Sequence, residues 1–99
     1  MKQFEVYRNP SEASQSFAPF VVVIQNHHLA LDTVVVAPLV IDKLPTSVEL
    51  AVELDGRPFV LAVTEMGSVR ATSLTHAVGD LREHEDAIRR ALDRLFTGF

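Results

Sequence analysis

Four histidines are the side chains of this sequence best suited to metal binding or proton transfer. His27 and His28 are adjacent, so on an extended strand their side chains would point to opposite faces. His76 and His84 lie far along the chain, and the sequence contains no His-Glu-x-x-His helix motif. Cysteine is absent, which removes disulfides, thiol nucleophiles and thiolate metal sites. Solvent-facing histidines are therefore favoured over a metal site, and we expect neither a metal nor a cofactor.

The sequence also lacks the motifs of nucleophilic and phosphate-binding enzymes. No Gly-x-Ser-x-Gly element occurs, and Ser68 has no base near it in the sequence. A P-loop or a dinucleotide-binding fingerprint needs clustered glycines, whereas the four glycines of this chain are isolated, at positions 56, 67, 79 and 98. We therefore predict no catalytic constellation and no enzymatic activity.

Length and composition limit the class of protein. The 99 residues suffice for one hydrophobic core, so we expect a single domain over residues 1–99. Thirteen acidic against nine basic residues give a net charge of −4, which argues against direct nucleic-acid binding. No apolar run approaches the roughly 20 residues of a membrane span, and no signal-peptide pattern is present. We expect a soluble, cytoplasmic protein with no membrane partner.

Hydrophobic periodicity predicts a small, mostly antiparallel barrel or sheet, with strands over residues 4–7, 20–25, 33–39, 48–54, 59–64 and 68–71. Residues 20–25 and 33–39 are apolar on both faces, which suits strands buried in a closed barrel or under an oligomer interface. In the strand over 48–54, alternate residues from Val48 to Leu54 point inward. Asp55-Gly56 predicts a tight hairpin turn after it. The polar stretch Arg8–Ser16, with Pro10 inside it, predicts a long, mobile loop.

The end of the chain predicts one amphipathic helix. Asp80, three residues before Glu83, resembles the start of a capping box, and Gly98 lies where a C-cap glycine belongs. A single apolar stripe recurs at helical spacing, formed by Leu81, Ile88, Ala91, Leu92, Leu95 and Phe96. Opposite it, the acid–base pairs Glu85/Arg89 and Asp86/Arg90 suit a solvated face. Phe99 follows the cap, either folded back onto the domain or offered to a partner as an anchor.

Four segments, in order and at matching spacing, resemble the CcdB family of bacterial toxin–antitoxin toxins, which poison DNA gyrase. The opening strand Phe4-Glu5-Val6-Tyr7 matches the family's Phe-x-Val-Tyr start. Residues 20–23 and 35–39 resemble its paired apolar strands, and residues 64–69 resemble its Thr-x-Met-x-Ser-Val segment. The closing helix and its end, residues 78–99, resemble the family's last element. The likeness covers essentially the whole chain.

This resemblance implies a mainly β (α+β) fold, a homodimeric SH3-like barrel with one C-terminal helix. It also implies a cytosolic, non-enzymatic toxin that binds the DNA gyrase A subunit and traps the cleaved DNA complex. A CcdA-like antitoxin with a disordered tail would neutralise it by folding around its surface. The antitoxin-contact residues are unassigned, although the loop Arg8–Ser16 and Phe17 could form one rim of an apolar groove.

The family's gyrase contacts, carried over by position, fall on the end of the chain and on one loop. The resemblance assigns gyrase binding to Thr97, Gly98 and Phe99, with Asp93 on the helix and with His27 and His28 after the second strand. Thr97 stands where the best-known member has tryptophan, and Phe99 replaces an aliphatic residue.

Two alternatives stay open. The chain could be a homologue that retains the fold and the antitoxin partner but poisons gyrase weakly or not at all. It could also be an endoribonuclease of the related toxin family that shares this barrel. In that case the candidate catalytic groups are Arg57 and Arg70, with Thr64 or Glu65.

Overall fold

A computed structural model describes residues 1–26 and 32–98 of the chain. Seven strands form one antiparallel sheet: β1 (Glu5–Arg8), β2 (Phe20–Val23), β3 (Thr33–Val40), β4 (Leu50–Leu54), β5 (Arg57–Leu61), β6 (Gly67–Arg70) and β7 (Ala77–Asp80). The strand order is β4-β5-β3-β2-β1-β7, and β6 also pairs with β3. Within the described ranges, the α-helix is α1 (Glu85–Thr97). The predicted class, a mainly β (α+β) fold with a curled antiparallel sheet and a C-terminal helix, is confirmed.

The apolar runs predicted to be buried on both faces form β2 and β3, and they are buried on both faces. One face of this strand pair contributes Val22, Ala37 and Leu39 to the main core, which α1 covers with Ile88 and Ala91. The other face contributes a second cluster, in which Val21, Val23, Val34 and Val36 pack with Tyr7 and Leu74. The curl of the sheet therefore buries both faces within one chain.

The hairpin predicted from Asp55-Gly56 joins β4 and β5. Both residues have positive φ, 52° and 76°, which is the conformation that this dipeptide favours in a two-residue turn. β4 begins at Leu50 rather than at Val48, so the predicted strand is two residues too long at its start. Val48 lies in a turn and Glu49 is buried, because the carboxylate of Glu49 has partners in the preceding loop.

β7 has no counterpart in the predicted strands. It pairs with β1 in the register Glu5↔Asp80 and Val6↔Gly79. The segment Ala77–Asp80 contains glycine and aspartate, both depleted in strands, so its local sequence gives no strand signal. Gly79 packs closely against Leu54: a Cβ at this position would lie 2.6 Å from Leu54 Cδ1, so the leucine side chain would have to shift. The strand therefore forms because tertiary pairing overrides local propensity.

The start of the helical region differs from the predicted capping box. The Oδ1 atom of Asp80 accepts a hydrogen bond from the backbone N–H of Arg82 at 2.5 Å, rather than from that of Glu83. A short 3-10 helix, Arg82–His84, follows, and α1 begins after it. The predicted ion pair between Glu85 and Arg89 forms, with 3.0 Å between Arg89 Nη2 and Glu85 Oε2.

Candidate functional site

The last turn of α1 is the candidate site, because it projects from a helix that is fixed in the core further up. Ile88 and Ala91 are fully buried, and Leu92 and Leu95 pack partly buried against the same core. These four contacts orient the helix axis and leave the following turn outside the core.

Phe96 is the large exposed side chain of this turn. Its residue surface is 72% exposed, so the apolar stripe that includes Phe96 is not buried over its whole width. Phe96 follows Ile88 by eight residues, which places it about 80° around the helix from the centre of the buried face. The apolar stripe is therefore wide enough in sequence to include Phe96, while the sheet covers only its middle. An angular count from Ile88 places Phe96 toward the edge of the stripe, but it does not give the extent of the covering sheet.

Two backbone contacts shape the end of the helix. Gly98 adopts the left-handed conformation, φ 81° and ψ 13°, and its N–H donates to the carbonyl of Arg94 at 3.0 Å. This is the predicted C-cap, and glycine suits it because it has no Cβ to clash at positive φ. The hydroxyl of Thr97 donates to the carbonyl of Asp93 at 2.6 Å. The threonine hydroxyl is therefore used within the helix.

The structure brings three of the six predicted contact residues together. Asp93, Thr97 and Gly98 are all exposed on the last turn. His27, His28 and Phe99 lie outside the described residues. Asp93 stands near the negative end of the helix dipole, where an acidic side chain is unfavourable by a few tenths of a kcal/mol or more. The stability of the helix therefore does not explain why position 93 is an aspartate.

A second apolar surface adjoins the segment predicted as a mobile loop. That segment contains a 3-10 helix, Glu12–Ser14, and it is organised by the buried Asn9. The Nδ2 atom of Asn9 donates to the Ala18 carbonyl at 2.8 Å, and its Oδ1 atom accepts from the Ser11 N–H at 2.9 Å. These bonds hold the turn before Phe17, which is 54% exposed.

Phe17 lines a groove of about 310 Å³ with residues of β2, β3 and β6, among them Val21, Pro38 and Val69. The lining is mainly apolar, and Glu65 and Ser68 supply polar groups at one side. A groove of this kind suits an apolar side chain from an extended segment.

The candidate endoribonuclease groups are not assembled into one site. Arg70 pairs with Thr33 at the first residue of β3. Val60 pairs with Val40 at its last residue, and Arg57 lies three residues beyond Val60. At about 3.3 Å per residue, the path along β3 from Thr33 to Val40 is roughly 23 Å, so the two arginines lie toward opposite ends of this strand. The guanidinium of Arg57 instead lies over the ring of Phe59, at 5.4 Å from its centroid.

In the ranges 1–26 and 32–98, no three histidine or acidic side chains are grouped so that they could hold a metal ion. No helix of the described chain combines the length and the apolar character needed to cross a bilayer.

Comparison with known proteins gives one assignment. No curated protein matches the chain significantly. The family model described as CcdB protein matches residues 3–98 of the 99. The match includes both apolar strands, the hairpin and the whole of α1. The chain therefore belongs to the CcdB family, whose members are toxins of toxin–antitoxin systems that target gyrase.

Proposed function

We propose that this chain is the toxin of a bacterial type II toxin–antitoxin system and that it binds the A subunit of DNA gyrase through the last turn of α1. The observation that carries the proposal is the exposed ring of Phe96 on a helix end that the core orients. An aromatic side chain supplies a large contact area with few rotatable bonds, which is why aromatic residues anchor many interfaces. The toxin acts by binding, and trapping the gyrase–DNA cleavage complex requires no catalytic residue of its own.

The identity of residue 97 makes Phe96 central to this proposal. Thr97 replaces the tryptophan of the best-known family member, and its hydroxyl bonds to the Asp93 carbonyl. The aromatic contact would therefore come from Phe96, one residue earlier. Asp93, Thr97 and Gly98 contact the same surface of gyrase. His27, His28 and Phe99 complete the contact set, as the resemblance implies.

The remaining partners follow from family membership. We propose a homodimer of single CcdB-like domains over residues 1–99, located in the cytoplasm. A CcdA-like antitoxin neutralises it, and an apolar residue of the antitoxin's disordered tail enters the groove beside Phe17. A disordered tail loses conformational entropy when it binds, so it needs apolar burial of this kind to offset the loss.

Expression in bacterial cells tests the toxin assignment. We expect growth arrest that is relieved by a mutation in the gyrase A subunit. Deleting Gly98 and Phe99, or introducing Phe96→Ala, should abolish the arrest while leaving the purified protein folded. Val78→Ala, at another exposed apolar residue, serves as the control and should retain toxicity. Full toxicity after both helix-end changes would remove the proposed contact.

Expression in cells and incubation with RNA separate the two alternatives. A homologue that no longer binds gyrase would bind antitoxin but cause no growth arrest. The small side chain of Thr97 is the feature that favours this alternative. Incubation of the pure protein with total RNA tests the endoribonuclease. Site-specific cleavage would favour the enzyme. The positions of Arg57 and Arg70 toward opposite ends of β3 argue against that outcome.

A further inference from the structure

A buried carboxylate organises the loop that precedes β4. The side chain of Glu49 is only 2% exposed, and its Oε2 atom is paired with Lys43 Nζ. Its Oε1 atom accepts the backbone N–H of Thr46 at 3.0 Å, and its own N–H donates to the Thr46 carbonyl at 3.2 Å. The pKa of Glu49 is lowered, mainly by the hydrogen bond from Lys43. Residues 42–49, named the Glu49 loop from here on, are therefore folded around one charged group.

The Glu49 loop contacts the last turn of α1 through one side chain. Arg94 Nε donates to the backbone carbonyl of Ser47 at 2.9 Å, across 47 residues of sequence. The backbone carbonyl of Arg94 accepts the N–H of Gly98, which closes the helix. Arg94 therefore joins the loop on one side to the C-cap on the other.

We propose that Arg94 is a positioning residue for the partner-binding helix end: through the Ser47 carbonyl, it ties the turn that carries Asp93, Phe96 and Thr97 to the Glu49 loop. The inference rests on the proposed gyrase contact and adds to it a residue outside the contact set. Its basis is two sets of contacts that meet in the backbone: Glu49 is bonded to Lys43 and Thr46, and Arg94 is bonded to Ser47, the residue that follows Thr46 in the chain.

The need for such a tie follows from the position of the turn. The last turn of a helix has carbonyls without helical partners and frays readily. Apparent affinity falls by the fraction of molecules in which the binding surface is correctly formed. A contact that keeps the turn closed therefore raises affinity without touching the partner.

Arg94 also has a second, separable effect on the helix. A cation in the last turn interacts favourably with the negative end of the helix dipole, whether or not it makes a hydrogen bond. The variant Arg94→Lys keeps this charge, and its Nζ can reach at least as far as Arg Nε does. Arg94→Met removes both the charge and the donor while keeping the apolar stem.

The experiment measures amide hydrogen exchange and binding of the purified gyrase A-subunit fragment on the full chain. Arg94→Met should reduce protection of the Gly98 amide and weaken binding by about twofold to tenfold, with the upper value set by the worth of one hydrogen bond. Arg94→Lys should restore most of both. Arg82→Met is the control, since it removes an exposed positive charge far from the helix end, and it should change neither quantity.

Glu49→Gln tests the loop end of the same chain of contacts. Like Arg94→Met, it should lower the protection of the Gly98 amide. The double variant should lose little more protection than Arg94→Met alone, because both changes disrupt the same set of contacts. Unchanged Gly98 protection in Arg94→Met would overturn the proposal, as would a loss of binding no greater than that of Arg82→Met. If the wild-type chain binds no gyrase, the proposed function fails, and Gly98 exchange alone decides whether Arg94 holds the turn.

Discussion

The two halves of α1 both contain apolar residues, but these residues differ in burial. In the first half, Ile88 and Ala91 are fully buried and fix the helix against the sheet. In the second half, Phe96 is equally apolar but is exposed, and the turn around it combines the core contact of Leu95 with polar contacts of Gly98 and Arg94. Apolar character alone therefore does not separate the buried part of this helix from its exposed part. Angular position and the extent of the covering sheet do.

This difference has an energetic consequence. Burial of the first half supplies the stability that keeps the second half exposed and oriented. Changes in the first half should lower the free energy of unfolding, whereas changes in the second half should leave folding intact and alter binding.

The largest effect is expected at the centre of the buried half. Ile88→Ala removes a fully buried side chain from the main core and should lower the free energy of unfolding by about 2–5 kcal/mol. Urea denaturation measures the change. Leu44→Ala is the matched control, since Leu44 is 87% exposed and its loss should stay within about 0.5 kcal/mol. Equal effects of the two variants would contradict the assignment of Ile88 to the core.

An intermediate effect is expected at Glu49, and it depends on pH. Glu49→Gln should lower the free energy of unfolding by about 1–3 kcal/mol at neutral pH, because the neutral glutamine cannot form the ion pair with Lys43. The native pKa is lowered from 4.5, so this stabilisation is fully present above pH 4.5. It is lost as the pH falls through the native pKa. The difference between wild type and variant should shrink in acid, and a difference that grew there would be the wrong sign.

The smallest effect is expected at the helix cap. Gly98 and Gly67 are both exposed, and a Cβ added at either position would meet no atom within 4 Å, but only Gly98 has positive φ. Gly98→Ala should destabilise the last turn by roughly 1–2 kcal/mol, whereas Gly67→Ala should cause no loss. Amide exchange at residue 98 measures this for Gly98→Ala, and urea denaturation serves for the control. Equal protection in wild type and Gly98→Ala would show that the cap does not restrain the turn.

Much of the scaffold is predictable from the sequence because its signals are local. The doubly apolar runs form β2 and β3, Asp55-Gly56 forms the hairpin turn, and Gly98 caps α1. In each case a short stretch of residues has a strong intrinsic preference that the fold agrees with. The family resemblance is likewise carried by local motifs, and the match over residues 3–98 confirms it.

The features that escaped prediction depend on residues distant in sequence. β7 exists because β1 offers a pairing edge, and the close approach of Gly79 to Leu54 is likewise set by the tertiary fold. Glu49 looks like an outward residue of an alternating strand, yet Lys43 and Thr46 make it a buried loop centre. Phe96 fits the apolar stripe, and only the extent of the sheet leaves it exposed. The predicted contact residues Asp93, Thr97 and Gly98 do share one turn, but their role in binding stays a prediction.

The most direct test of the account is calorimetric titration of the gyrase A-subunit fragment with wild type and with Phe96→Ala. We expect the wild-type chain to bind and the variant, with an unchanged urea midpoint, to lose about 2 kcal/mol or more, roughly thirtyfold in Kd. A folded Phe96→Ala variant that binds the fragment as tightly as wild type would contradict the claim that this helix end is the contact surface.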